Sequence, residues 1–512
     1  MPPRSSTSNS VDKANRGQSF SDEAMSRNLF FILPAEVLNY IFTLCQRMLP
    51  LNRRLQLARR LSLVCRAWGT FLQTFPDIWT AGLTIPTAPS IHDLYALSKQ
   101  FTIDGNHRIT VFITESLSPD VAADDTSLDS VKTWFAAHPD VLRRISHIEA
   151  PDVSSPRLIS KIFPVIIGAM QAVGNFDLRT ISLPMIKTSM NNDSRVLISC
   201  VYSAAAASTS MFCLEMPMLP TLTGQSCVSL THLAVSFYRD GYQMDRKLFD
   251  ALHMMKNLKT LTILDRRNFS HLHGPSHTQM TYLPLLSHLV VRATTVEHID
   301  FYLSNLTTPV MHKLLVAAGD STDPNESNLW DTGCPVASWP SEVGMQFLAQ
   351  CDTGLFTSLS VLNMTISPRL ATSPILHSNT LSHLYLLPQL PTTTPDELLV
   401  VAEQRLPHLR HFGAAFDLGR EKHREWLFRA MEAGSYCRLD DLRLCYLLPH
   451  RHRHLALRPV KLLESVLARS TTRIQSEVQY PSHEDDLNIV PEILVEELGR
   501  FGEKRWGMDF FR

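Results

Sequence analysis

Apolar residues return along most of this chain in one short phrase: an apolar position, two variable residues, an apolar residue, one variable residue and a further apolar residue. The phrase appears as DLRTISL (177–183), SLTHLAV (229–235), NLKTLTI (257–263), LLSHLVV (285–291), SLSVLNM (358–364), TLSHLYL (380–386), HLRHFGA (408–414) and RLDDLRL (438–444). Weaker copies stand at SMFCLEM (210–216) and VMHKLLV (310–316). The last three residues of each copy alternate with the period of a β-strand, and successive copies are often 22 to 33 residues apart.

Between copies the period changes to that of a helix. In DRKLFDALHMMKN, Leu248, Leu252 and Met255 share one face. TTPDELLVVAEQRL places Thr394 as a helix cap, Pro395 at the first helical position and acids in the first turn, ahead of Leu398, Val401 and Ala402. TVEHIDFYLSNL and REKHREWLFRAME read the same way. A strand and a helix repeated at this interval cannot each cover their own apolar side, so stacking into a curved solenoid is expected.

The start of the chain carries a different pattern. In LPAEVLNYIFTLC, Pro34 occupies the first helical position, and Val37, Leu38, Ile41, Phe42 and Cys45 recur at helical spacing. A polar link holding Pro50 leads to LQLARRLSLVCRAWGTFL, where Leu57, Leu61, Val64, Cys65 and Trp68 form one stripe. FPDIW then ends the run at Pro76. These three short helices expose more apolar side chain than so small a unit covers, so they either cap a larger domain or dock on a partner.

The succession LPAEVLNYIF, LSLVCRAW and PDIWTAGL resembles the F-box, in the fungal form with a lengthened link between its first two helices. The resemblance covers residues 30–80 and implies binding to a Skp-type adaptor, and through it to a cullin and ubiquitin-transfer machinery. Carried over by motif position, Leu33, Pro34, Leu38, Ile41 and Phe42 form the first part of the adaptor contact. Val64, Cys65, Trp68, Pro76 and Trp79 correspond to the later submotifs, and some of these side chains must also hold the bundle together.

The recurring phrase looks like a leucine-rich repeat, although the Asn or Cys usual after its core is replaced by Tyr238, Arg266 and Ser367 in three copies. The implied fold class is α/β: an N-terminal three-helix F-box, then a curved repeat solenoid with a parallel sheet on its concave face and helices outside. The boundaries read as a disordered tail (1–28), the F-box (30–80), a linker and first cap (81–140), irregular repeats (141–450, with an insertion at 323–342) and a C-terminal helical cap (451–512).

In such a solenoid the residue between the last two apolar positions points to the concave side. These residues are Ser182, Glu215, Ala234, Thr262, Val290, Leu315, Asn363, Tyr385, Gly413 and Arg443, of which only Glu215 and Arg443 are charged. So neutral a row suits a protein partner, with Thr262, Asn363, Tyr385 and Arg443 as candidate target contacts, unless a loop or the C-terminal segment covers it. The insertion's Trp330 and Trp339 are either recognition anchors or an internal plug.

Charge and chemistry narrow the function further. The 512 residues carry 48 basic and 49 acidic side chains, which argues against general binding to nucleic acid or an acidic membrane. Nine cysteines without a CxxC pair suit a reducing compartment, so a cytoplasmic or nuclear site is expected. The uncharged stretch 196–214 is broken by serines and reads as buried helix and strand rather than a membrane span. The clusters HRHRH (450–454) and HLHGPSH (271–277) read as turns, and no phosphate loop, nucleophile elbow or zinc-binding helix motif occurs. The expectation is a non-catalytic substrate receptor of a Skp/cullin/F-box ligase, needing no cofactor or metal. The alternative is an F-box scaffold without ligase function.

Overall fold

A computed structural model of the chain describes residues 83–86, 109–114, 125–150, 156–174, 178–183, 213–216, 230–237, 242–265, 280–319, 338–388, 392–406, 408–432, 439–447 and 473–479, with scattered positions from Val37 to Trp68. The chain forms two compact units, residues 1–84 with 92–112, and residues 85–91 with 113–512. Strands β1 (Leu83–Pro86) and β2 (Ile109–Thr114) straddle the division.

In the first unit Val37, Leu38, Tyr40, Ile41, Phe42 and Cys45 are helical, as are Leu57, Arg60, Leu61 and Trp68. Leu63 and Val64 lie in a turn, their N–H groups donating to the carbonyls of Arg60 and Leu61.

The second unit is mixed α/β with a large parallel sheet. Its first strands are β3 (Ile145–Glu149), β4 (Thr180–Ser182), β5 (Cys213–Met216), β6 (His232–Phe237) and β7 (Thr260–Asp265). Next come β8 (Thr281–Tyr282), β9 (His288–Ala293), β10 (Leu306–Thr307), β11 (Lys313–Ala318), β12 (Ser338–Trp339), β13 (Ser358–Leu362) and β14 (Thr365–Ile366). The last are β15 (His383–Leu387), β16 (His411–Asp417), β17 (Asp441–Leu447) and β18 (Arg473–Gln479). From β3 the main sheet runs β3-β4-β5-β6-β7-β9-β11-β13-β15-β16-β17-β18, every neighbour parallel and in chain order. The short pairs β8/β10 and β12/β14 are also parallel.

Parallel neighbours need a return connection long enough to bring the chain back to the start of the next strand. Helices Tyr242–Met254, Val296–Ser304, Glu342–Gln350, Asp396–Arg405 and Glu421–Glu432 lie on these connections, with two 3-10 turns at Pro368–Thr372 and Pro374–His377 before β15. Their apolar stripes face the sheet: Leu248, Leu252 and Met255 are buried as the spacing predicts. On the same side Phe412 and Phe416 of β16 pack on Trp426, and the Tyr302 hydroxyl donates to Asp265 of β7 at 2.8 Å. The strands are buried on both faces, as parallel strands usually are.

Several sequence expectations change. Thr394 does not cap the helix that follows; Pro395 stands at that position without a side-chain cap bond. The buried Thr394 hydroxyl instead donates to the Leu386 carbonyl and accepts from the Ala415 N–H, both at 3.0 Å. It thereby joins β15 to β16 where their ladder ends at Leu386–Ala414. Strand β18 extends the sheet inside the stretch expected as a helical cap. Trp339 is the internal plug: it is fully buried beside Ile366 of β14, while Trp330 lies outside the described residues. Among the described residues no helix is long and apolar enough to cross a membrane, and of the stretch 196–214 only the strand residues Cys213 and Leu214 are described.

Candidate functional site

Of the expected adaptor contacts, Leu38, Ile41, Phe42, Val64 and Trp68 fall among the described residues, whereas Leu33, Pro34, Cys65, Pro76 and Trp79 lie outside them. Phe42 meets Trp68 edge-on with ring centroids 5.1 Å apart, which brings the first and second apolar segments together. Phe42 and Leu38 are buried and Ile41 and Trp68 half-buried, so this face of the first helix packs within the chain. Exposed apolar side chains lie elsewhere on the same segments: Val37, Tyr40, Leu63 and Val64 are 40%, 66%, 83% and 60% accessible. Among the described residues the unit therefore holds both an internal contact and exposed apolar side chains.

The row expected on the sheet also assembles. Ser182, Glu215, Ala234, Thr262, Val290 and Leu315 are register partners in turn, followed by Ser360, Tyr385, Gly413 and Arg443. Ser360 takes the place expected of Asn363, because the SLSVLNM copy enters the sheet three residues earlier than its leucine spacing implied. Asn363 lies just past β13 with φ 54°, and its side-chain amide donates to the Ala318 carbonyl at 2.8 Å. It ties off the strand end.

Nor is the row an open contact surface. Thr262, Asn363, Tyr385 and Arg443 are all buried, together with the apolar cluster of Val290, Leu315, Leu362, Leu387, Ala415 and Cys445 on this side of the sheet. Within it the Tyr385 hydroxyl and the Arg443 Nε both donate to Asp441 Oδ2 at 2.8 Å. The Arg443 guanidinium also sits 5.3 Å from the Tyr385 ring centre. A buried carboxylate held by one charged and one phenolic donor is an interior brace.

The row two residues earlier along each strand is more polar: its histidines and Lys313 are half-buried, while Thr180, Thr260, Ser358 and Asp441 are buried. It runs His147, Thr180, Cys213, His232, Thr260, His288, Lys313, Ser358, His383, His411 and Asp441 in register. Each of the first, fourth, sixth and ninth is a histidine preceded by a hydroxyl residue whose oxygen lies 2.7 or 2.8 Å from the ring Nδ1 (Ser146, Thr231, Ser287 and Ser382). The Ser287 and Ser382 hydroxyls also reach the carbonyls of Lys259 and Thr357, just ahead of β7 and β13, at 3.1 and 3.3 Å. The His383 and His411 rings stack 4.0 Å apart at 9°. Burial first, then neighbouring Lys313 and histidines, pushes His288 down to about 4. Burial, then His411 and Lys313, does the same to His383 at about 4.

This row was legible in part: THL, SHL, SHL and RHF stand inside four copies of the recurring phrase, but only the leucines set its period. Among the described residues no group of three or more His, Cys, Asp or Glu is arranged to hold a metal ion, and HRHRH and HLHGPSH lie outside them. Burial raises the Cys351 thiol to about 12, which suits a packing residue and not a nucleophile. Compared with family models and with curated proteins, the chain matches none.

Proposed function

We propose that this chain is the substrate receptor of a Skp/cullin/F-box ubiquitin ligase, with residues 30–80 holding the adaptor and a leucine-rich-repeat solenoid presenting the target. The observation that carries the proposal is the Phe42–Trp68 contact, which joins LPAEVLNYIF to LSLVCRAW as one packed unit and leaves Val37, Tyr40 and Val64 accessible. An apolar surface on a small helical unit is what a docking module offers a partner. Strands laid down in chain order, each returning parallel to the last, support the repeat reading of the remainder.

The receptor's part is positioning: it raises the effective concentration of a target lysine near the charged ubiquitin carrier. No residue of the chain takes part in bond making. The target is a protein.

The test is co-expression of the full chain with a Skp-type adaptor and size-exclusion chromatography, beside a version lacking residues 30–80. A one-to-one complex lost on deletion supports the proposal. Two chains that both run free of adaptor reduce the helices to a cap and end the ligase reading. Because Leu38 and Phe42 pack internally, the discriminating point variants are Tyr40→Asp and Val64→Asp, which change the accessible side chains.

A further inference from the structure

The row from Thr262 to Arg443 is buried, so the exposed apolar side chains of the second unit lie off it. Among the described residues these are Met254, Met280, Tyr282, Leu285 and Leu355, between 36% and 54% accessible, with Val400 and Phe428 on later helices. Met280 and Tyr282 share the outward face of the chain at β8, alternating with buried Thr281 and Leu283. The Lys256 ammonium donates to the Tyr282 carbonyl at 3.1 Å, which sets the end of helix Tyr242–Met254 beside β8. Leu285 follows in the turn into β9. The His312 and Thr357 N–H groups donate to the carbonyls of Ser287 and His312 in turn. Leu285, Val310 and Leu355, each two residues ahead of this ladder, therefore hold equivalent places on three successive turns.

From this arrangement we infer that the edge from Met254 to Leu355 docks an amphipathic helix of the target protein, aligned with the succession of the strands. The inference rests on the reading of the chain as a protein receptor. Neighbouring strands step by about 4.8 Å, and a helix rises about 5.4 Å per turn. A helix so aligned sets one apolar side chain over each of the turns that carry Leu285, Val310 and Leu355. The unbranched, flexible Met254 and Met280 side chains adapt to such a face. Size argues against a second copy of the chain, because five partly exposed side chains fall well short of the ~800 Å² that each partner of a stable dimer buries. Charge argues against an anionic membrane. Within three residues of the five, the lysine, arginine and acidic side chains are Lys256 and Asp352, one of each sign, whereas such a membrane calls for clustered Lys and Arg.

The test uses the full chain and a fluorescein-labelled peptide of about 14 residues, about four helical turns, with leucines on one face and Glu and Lys on the other, followed by anisotropy. Leu285→Glu with Leu355→Glu is expected to weaken binding about tenfold or more, with the thermal midpoint and adaptor binding unchanged, because both side chains are exposed. If that variant misfolds, Tyr282→Ser with Leu285→Ser is expected to weaken binding about threefold. Val400→Glu with Phe428→Glu, which alters exposed apolar side chains on later helices, is expected to bind as wild type does. Equal affinity in the folded edge variants and wild type would overturn the inference, as would an equal loss in the Val400 and Phe428 variant. So would equal binding of a peptide of the same composition with its leucines dispersed around the helix, or no binding at about 0.1 mM peptide. A wild-type dimer that Leu285→Glu with Leu355→Glu dissolves would assign the edge to a second copy instead, and binding to phosphatidylserine vesicles lost in that variant would assign it to a membrane. Peptide binding by a chain that fails to bind adaptor leaves this surface in place and removes only the ligase reading.

Discussion

The Tyr385 hydroxyl reaches Asp441 across a whole strand, donating to its Oδ2 at 2.8 Å from β15 to β17. Gly413 of β16 lies between Tyr385 and Arg443 in register, and a Cβ there would stand 2.5 Å from Tyr385 Cδ1 and 3.5 Å from Arg443 Cβ. The glycine is thus a gap through which the tyrosine ring passes. The phenol on β15 is thereby tied, across β16, to a carboxylate that the guanidinium two residues further along β17 also holds.

Gly413→Ala should destabilise the chain by about 1–3 kcal/mol through overpacking, since the ring and the new methyl claim the same space. In a Tyr385→Ala background the same change should cost about 1 kcal/mol less, because the clash has gone. Denaturant unfolding of the four chains measures this coupling, and strict additivity would show that the ring does not depend on the gap.

Thr394→Val keeps shape and removes a hydroxyl that satisfies two buried backbone groups, the Leu386 carbonyl and the Ala415 N–H. A loss of about 2–4 kcal/mol is expected, with Thr394→Ser close to wild type. Thermal or urea unfolding separates this from a capping role, in which Val would cost about 1 kcal/mol.

Acidification should weaken the fold through the strand-start histidines. In the unfolded chain an imidazole titrates near 6.5, while His288 and His383 are held down to about 4. Between those values the unfolded state binds the extra protons, so stability is complete above about pH 6.5 and falls as pH drops toward 4. Urea midpoints across that window should decline, and His383→Asn should flatten the decline. A midpoint that rises on acidification would contradict the assignment.

In the N-terminal unit the inward and outward faces predict opposite phenotypes. Phe42→Ala removes a ring that packs on Trp68, and a cost of about 3 kcal/mol or more should show as lost helical signal and protease sensitivity within residues 30–80. Val64→Asp changes a side chain that is 60% accessible, so the fold should survive while adaptor binding falls. Retention of full adaptor binding by a folded Val64→Asp chain would place the contact elsewhere.

Much of this structure is carried by period alone. The leucines of NLKTLTI, LLSHLVV and TLSHLYL alternate as strands, and β7, β9 and β15 lie where they stand, because a two-residue period commits every second side chain to one face. Helical spacing in DRKLFDALHMM and REKHREWLFRAME places Tyr242–Met254 and Glu421–Glu432 for the same reason. Even the row from Ser182 to Arg443 follows from phrase alignment, apart from the exchange of Asn363 for Ser360.

What local pattern does not carry is anything that depends on a neighbour distant in sequence. Thr394 has the look of a cap, yet it closes the gap between two strands, a role created only when Leu386 and Ala415 arrive on either side of it. Tyr385 and Arg443 look like contacts awaiting a partner, and the fold turns them inward onto Asp441. Histidines scattered singly through the chain fall into one register row, and His383 and His411 become direct neighbours, because parallel register stacks equivalent positions about 4.8 Å apart. Hydrophobic period is local, so it places most of the strands and helices and the faces they bury, although β18 stands where a helical cap was expected. Which polar groups meet, and which surface remains for a partner, was decided only by tertiary structure, because hydrogen bonds and charge pairs act at contact distance between strands far apart in the chain.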